Sequence, residues 1–166
     1  MTRAMSATWA AVNLAAGLAL TFLAPVFYAQ VARPLAVGYL LVFGLAIGAI
    51  QRRNKSAART QLLAVSVVSI AAGVSVALIE NAGTAYQLLV SIWALAQGSL
   101  LLIGAMNLGF KTSSGRDLAI VSASSLILGL VLLIPDAAPR NQLGFFSAYL
   151  LITGVLLAIA ASTPSK

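Results

Sequence analysis

The chain has 166 residues, of which 61% are hydrophobic and 8% charged, with a net charge of +7. Soluble domains average about 25% charged residues, so this few cannot cover a water-facing surface, and the chain reads as a polytopic membrane protein. The lack of Cys and His excludes disulfides, thiolate chemistry, the usual zinc and haem ligands and His acid–base catalysis; the ten basic residues fall between apolar segments rather than on one basic face, which argues against nucleic acid.

A short tail carrying Arg3 precedes the first apolar segment, residues 8–30, which contains Asn13, Gly17 and Pro25. That run is too long for a signal-peptide core, and no good Ala-x-Ala cleavage site precedes Arg33, so an uncleaved span is expected. The second segment, 34–50, opens on Pro34, a residue suited to a first helical turn. Residues 51–60, QRRNKSAART, read as a solvated loop. The third segment covers 61–79 and closes in a turn at Glu80. The fourth, 86–110, includes the uncharged run LLVSIWALAQGSLLLIGAMNLGF. At 1.5 Å per residue it is long enough to cross a hydrocarbon core of about 30 Å. A polar loop, KTSSGRD, occupies 111–117. The fifth segment, 118–134, ends at Pro135; the sixth, 142–161, is followed by a polar tail.

Six spans place alternate loops on opposite sides. Arg3, Arg52, Arg53, Lys55, Arg59, Lys111, Arg116 and Lys166 fall on one side, and only Arg33 and Arg140 on the other. By the positive-inside rule the first side, with both termini, is expected to be cytoplasmic.

The segments also repeat. An aromatic residue stands five positions before a glycine at Tyr39/Gly44, Trp93/Gly98 and Tyr149/Gly154, and the odd-numbered segments carry Gly17, Gly73 and Gly129 in steps of 56. Ser66 and Ser69 align with Ser122 and Ser125, and Glu80 aligns with Asp136; Asn13 takes the place of Ser69 in the most divergent first copy. The fold class is therefore an all-α integral membrane protein, one domain of six transmembrane helices. They form three tandem helical hairpins of about 56 residues (8–51, 61–110 and 118–162), all inserted the same way. In lipid, small residues let helix backbones approach, so Gly17, Gly73, Gly129, Gly44, Gly98 and Gly154 are expected at helix contacts. Tyr39, Trp93 and Tyr149 are expected to fill space between hairpins.

The segments SIWALAQGSLLLIGAM, ASSLILGLVLLIPDAA and FFSAYLLITGVLLAIAAS resemble the HdeD-like family of small bacterial membrane proteins. The likeness is good over 80–162, fair over 61–79 and poor over the first hairpin. It implies a bacterial inner-membrane protein with a stress-linked role, acid resistance being recorded for the family's namesake, and it brings no catalytic residues.

Three places invite chemistry. Glu80 and Asp136, at matching outer helix ends, are candidates for proton sensing, against the plainer reading of acids in solvated turns. Gln97, in mid-span at the position of Phe43 and Thr153, lines a polar pathway or hydrogen-bonds a neighbouring helix, the second being commoner. Asn13, Ser66, Ser69, Ser122, Ser124 and Ser125 are path-lining candidates too, although membrane serines often bond their own i−4 carbonyl. No carboxylate pair lies within one helix and no phosphate-binding glycine loop is present, so an enzyme is not expected, nor any metal or cofactor. The expected role is a non-enzymatic accessory or stress-associated protein acting by association in the bilayer, as a homo-oligomer or a subunit of a larger membrane complex. The alternative is a small transporter or channel for protons or a small solute.

Overall fold

A computed structural model describes residues 3–79, 84–134 and 139–163; for 24–32, 84, 85 and 139–141 it describes the backbone alone. Every regular element in it is helical: α1 (Arg3–Arg53), α2 (Arg59–Leu78), α3 (Thr84–Leu108), α4 (Ser113–Leu132) and α5 (Pro139–Ser162). Six stretches are long and apolar enough to cross a membrane: Arg3–Leu23, Arg33–Arg53, Arg59–Leu78, Tyr86–Leu108, Ser113–Leu132 and Gln142–Ser162, numbered here as spans 1 to 6. Large apolar side chains face outward on all of them; Phe22, Leu45, Val67, Leu78, Ile127 and Ile152 are each more than half exposed. Such a surface suits lipid rather than water.

The backbone is helical from Arg3 to Arg53, Pro25 and Pro34 included, yet the two halves of α1 lie side by side. The Tyr39 hydroxyl donates to Asn13 Oδ1 at 3.1 Å, and the Trp9 and Phe43 rings stand 5.3 Å apart. A straight helix would separate Asn13 from Tyr39 by about 39 Å, so α1 doubles back and supplies spans 1 and 2. At the far end of the chain, Arg3 donates to the Thr163 carbonyl at 3.2 Å. The first and last spans are thus neighbours, and both ends of the described chain share one face.

Most helices begin further out than the apolar stretches alone suggest, whereas α2, α3 and α4 end one or two residues earlier. Span 1 starts at Arg3 rather than residue 8, and span 2 runs on through Arg52 and Arg53. The loop expected over 51–60 shrinks to residues 54–58, with Gln51 and Ala58 buried. The loop expected at 111–117 is largely the first turn of α4, where the Thr112 hydroxyl caps the helix by accepting from the Gly115 amide at 3.0 Å. Backbone satisfaction sets where a helix ends, and Arg and Lys side chains can lie along an apolar stem with their charges in water. Hydropathy marks the lipid-immersed part only. Before α4 the chain turns at Gly109, whose φ of +80° ends α3 in the left-handed region that glycine favours.

Candidate functional site: a buried polar and aromatic belt

The interior is aromatic. Tyr39, Trp93, Phe146 and Tyr149, all from even-numbered spans, are buried. Trp93 meets Tyr39 edge-on at 6.0 Å and Tyr149 at 6.5 Å. Phe146 meets Tyr39 at 5.6 Å and Trp93 at 6.0 Å. These spacings lie within the range of favourable ring pairs. The rings fill the space where spans 2, 4 and 6 converge.

Each of the three aromatics that precede a glycine by five also bonds the odd-numbered span before it. Tyr39 bonds Asn13 as described. The Trp93 indole N–H donates to Ser69 Oγ at 2.9 Å. Tyr149 and Ser125 share a hydrogen bond of 2.9 Å between their hydroxyl oxygens. The Ser125 hydroxyl proton is committed to the Val121 carbonyl, so Tyr149 is the donor to Ser125. Asn13, Ser69 and Ser125 are spaced by 56 residues.

Further bonds tie two of these pairs into a belt, which the Trp93–Ser69 pair meets through the ring contacts of Trp93. Gln97 Nε2 donates to Ser125 Oγ at 3.2 Å and to the Tyr149 hydroxyl at 2.7 Å. Asn13 Nδ2 donates to Thr153 Oγ1 at 2.8 Å, and Thr153 in turn donates to the Tyr149 carbonyl at 2.7 Å. Spans 1, 2 and 6 are so joined, as are spans 4, 5 and 6. Every member is uncharged. In hydrocarbon, where water cannot stand in for a lost partner, such bonds fix which helix faces meet.

The glycines lie where span 2 crosses span 3, span 4 crosses span 5 and span 6 crosses span 1. A Cβ placed on Gly44 in span 2 would come within 2.7 Å of Ile70 and 2.9 Å of the Ser66 carbonyl in span 3. One on Gly98 in span 4 would lie 2.7 Å from Leu126 in span 5, and one on Gly154 in span 6 would lie 2.8 Å from Leu14 in span 1. From the other side, a Cβ on Gly73 would lie 3.0 Å from Leu41, one on Gly129 2.6 Å from Leu95 and one on Gly17 3.0 Å from Leu151. Across the same seams Ser66 donates to the Gly44 carbonyl at 2.6 Å, and Ser122 to the Gly98 carbonyl at 2.7 Å. At the end away from the termini, Arg33 donates to the Val76 and Ala77 carbonyls, and Gln87 to those of Leu132 and Ile134. The start of an even span thus closes the open carbonyls that end the next odd span.

Of the path-lining candidates, only Ser124 keeps wholly to its own helix; it is exposed and bonds the Ile120 carbonyl. Asn13, Ser66, Ser69, Ser122 and Ser125 are buried and bridge helices. Gln97 takes the helix-bonding role, while its Oε1 is buried without a partner among the described residues, as is Ser91 Oγ. Glu80 and Asp136 lie outside the described residues. The cross-helix partners of Tyr39, Trp93 and Tyr149, and the caps made by Arg33 and Gln87, are absent from the sequence reading. The one signal pointing to the first set was the common 56-residue step of Asn13, Ser69 and Ser125. Among the described residues no group of three or more acidic, His or Cys side chains is placed to hold a metal ion.

The chain matches no family model, no curated protein and no solved structure.

Proposed function

We propose that the chain is three tandem hairpins wound around an aromatic-filled axis, and that it is a non-enzymatic membrane protein acting by association. The observation that carries this reading is the burial of Tyr39, Trp93, Phe146 and Tyr149 at the meeting of spans 2, 4 and 6. Rings occupy the place where a pore of threefold arrangement would run, and the polar groups beside them are engaged in holding helices together. The hairpin reading is supported by contacts that recur in step. The seams at Gly44/Ile70, Gly98/Leu126 and Gly154/Leu14 involve spans 2 and 3, 4 and 5, and 6 and 1.

What remains for work is the outer apolar surface and the charged ends. Partners are a second copy of the chain or a larger membrane complex. The cationic residues Arg52, Arg53, Lys55, Arg59, Lys111 and Arg116 lie on the face that carries the termini, which supports a cytoplasmic placement of that face by the positive-inside rule. The bacterial inner-membrane setting and the stress-linked role rest on the resemblance to the HdeD-like family.

The rival reading, a proton or small-solute pathway, is favoured by one observation: the unpartnered Gln97 Oε1 and Ser91 Oγ inside the bundle. Buried polar groups without partners are expected to recruit water. Flux separates the two. Proteoliposomes of the full chain, loaded with a pH-sensitive dye and given a proton gradient, should discharge no faster than protein-free vesicles. Discharge that scales with protein content and falls in Gln97→Leu would replace association with transport.

A further inference from the structure

Spans 5 and 6 touch through Ser125 and Tyr149 on their inner sides but stand open toward lipid. At the end bearing the termini, a cleft of about 540 Å³ separates them, with Arg3, Ser113, Arg116 and Asp117 among its walls and Ile120 and Leu156 at its depth. One helical turn further along both spans, Ser124 and Ile152 begin a second recess of about 220 Å³, which continues past Ile127 and Ala148 to Val131 and Phe145. Residues four apart on a helix share a face, so the two recesses are successive lengths of one seam.

We propose that this seam binds one anionic phospholipid from the leaflet on the side of the termini, with its phosphate between Arg3 and Arg116 and one acyl chain along spans 5 and 6. Charge selects the headgroup: two guanidiniums stand against the single Asp117 carboxylate, and guanidinium pairs well with phosphate oxygens. Arg3 is held in place by its bond to the Thr163 carbonyl. Length selects the tail. From Ile120 to Val131 the apolar part of the seam runs about 16 Å, close to one leaflet's share of a hydrocarbon core of about 30 Å. The narrowness of the inner recess, about 220 Å³, suits a single acyl chain. Lipid binding here needs no second copy and no partner chain, so this site stands or falls separately from association.

Native mass spectrometry of the full chain in detergent, equilibrated with phosphatidylglycerol, phosphatidylethanolamine or phosphatidylcholine, reads the site directly. One phosphatidylglycerol should be retained in clear preference to the two lipids of zero net charge. Arg116→Gln should weaken that retention about fivefold, and its combination with Arg3→Gln about 25-fold, from the usual attraction of a basic side chain to an anionic lipid. Asp117→Asn should strengthen it, a direction that general loosening of the bundle cannot produce. Ala148→Trp, at an exposed position in the inner recess, should weaken retention while both arginines stay. Equal retention of the three lipids would overturn the proposal. So would unchanged binding in Ala148→Trp together with full displacement by millimolar inorganic phosphate, which would leave an anion site with no lipid seam.

Discussion

The Trp93 indole N–H reaches Ser69 Oγ at 2.9 Å, joining two helices that are neighbours in the chain through two buried side chains. Tyr39 with Asn13 joins spans 1 and 2 in the same way, and Tyr149 with Ser125 joins spans 5 and 6. The belt predicts that these bonds act in the stability of the bundle, at the scale measured for membrane hydrogen bonds. Trp93→Phe should cost about 1 kcal/mol, and a double-mutant cycle with Ser69→Ala should return a coupling of about 0.6 kcal/mol in mixed-micelle unfolding. Zero coupling would mean that the indole acts only through its bulk.

Two glycines in span 2 make a matched comparison. A Cβ on Gly44 would press on Ile70 and on the Ser66 carbonyl, while one on Gly38 meets nothing within 4 Å. Gly44→Ala is expected to destabilise by about 1–3 kcal/mol, since backbone must move to admit the methyl group. Gly38→Ala should be neutral or stabilise by up to about 1 kcal/mol through helix propensity. Thermal unfolding in one detergent measures both, and equal effects would contradict the close crossing at Gly44.

Closure of the bundle between first and last spans is open to a direct test because the chain has no cysteine. Asn13 Nδ2 and Thr153 Oγ1 stand 2.8 Å apart across 140 residues. The double variant Asn13→Cys, Thr153→Cys should cross-link within one chain under mild oxidation or with a short bismaleimide, giving a faster-migrating band. Asn13→Cys paired with an exposed position such as Ile127→Cys should not. No intramolecular product from the first pair would separate spans 1 and 6.

Orientation follows from the charges. A reporter fused after Lys166 should give a cytoplasmic signal, and one inserted between Ile79 and Thr84 a periplasmic signal. The reverse pair of signals would invert the bundle, and two signals from the same side would break the six-span arrangement.

The number of spans was legible because hydrophobicity over about 20 residues is read directly by lipid. The ends were less so. Arg52, Arg53, Ser113 and Arg116 are polar yet helical, because hydrogen bonding, caps and long basic side chains carry a helix beyond the apolar zone. The positions of interest in the belt were legible through spacing, as with Ser69 and Ser125, but their partners were not. Trp93 and Ser69 are 24 residues apart, and only the turn between two helices decides which residues at that separation meet. The doubling-back of α1 was legible as two apolar segments; the helical backbone that carries on between them was not, because Pro25 and Pro34 each remove a helical hydrogen bond there.

The mass of the particle taken from native membranes tests the central claim most directly. Extraction of the full chain at native abundance into polymer-bounded discs, followed by mass photometry with the lipid and polymer contribution subtracted, gives the protein mass. Association predicts at least twice the 17.0 kDa of a single chain, as a homo-oligomer or with a larger partner. A uniform population at 17.0 kDa would contradict it.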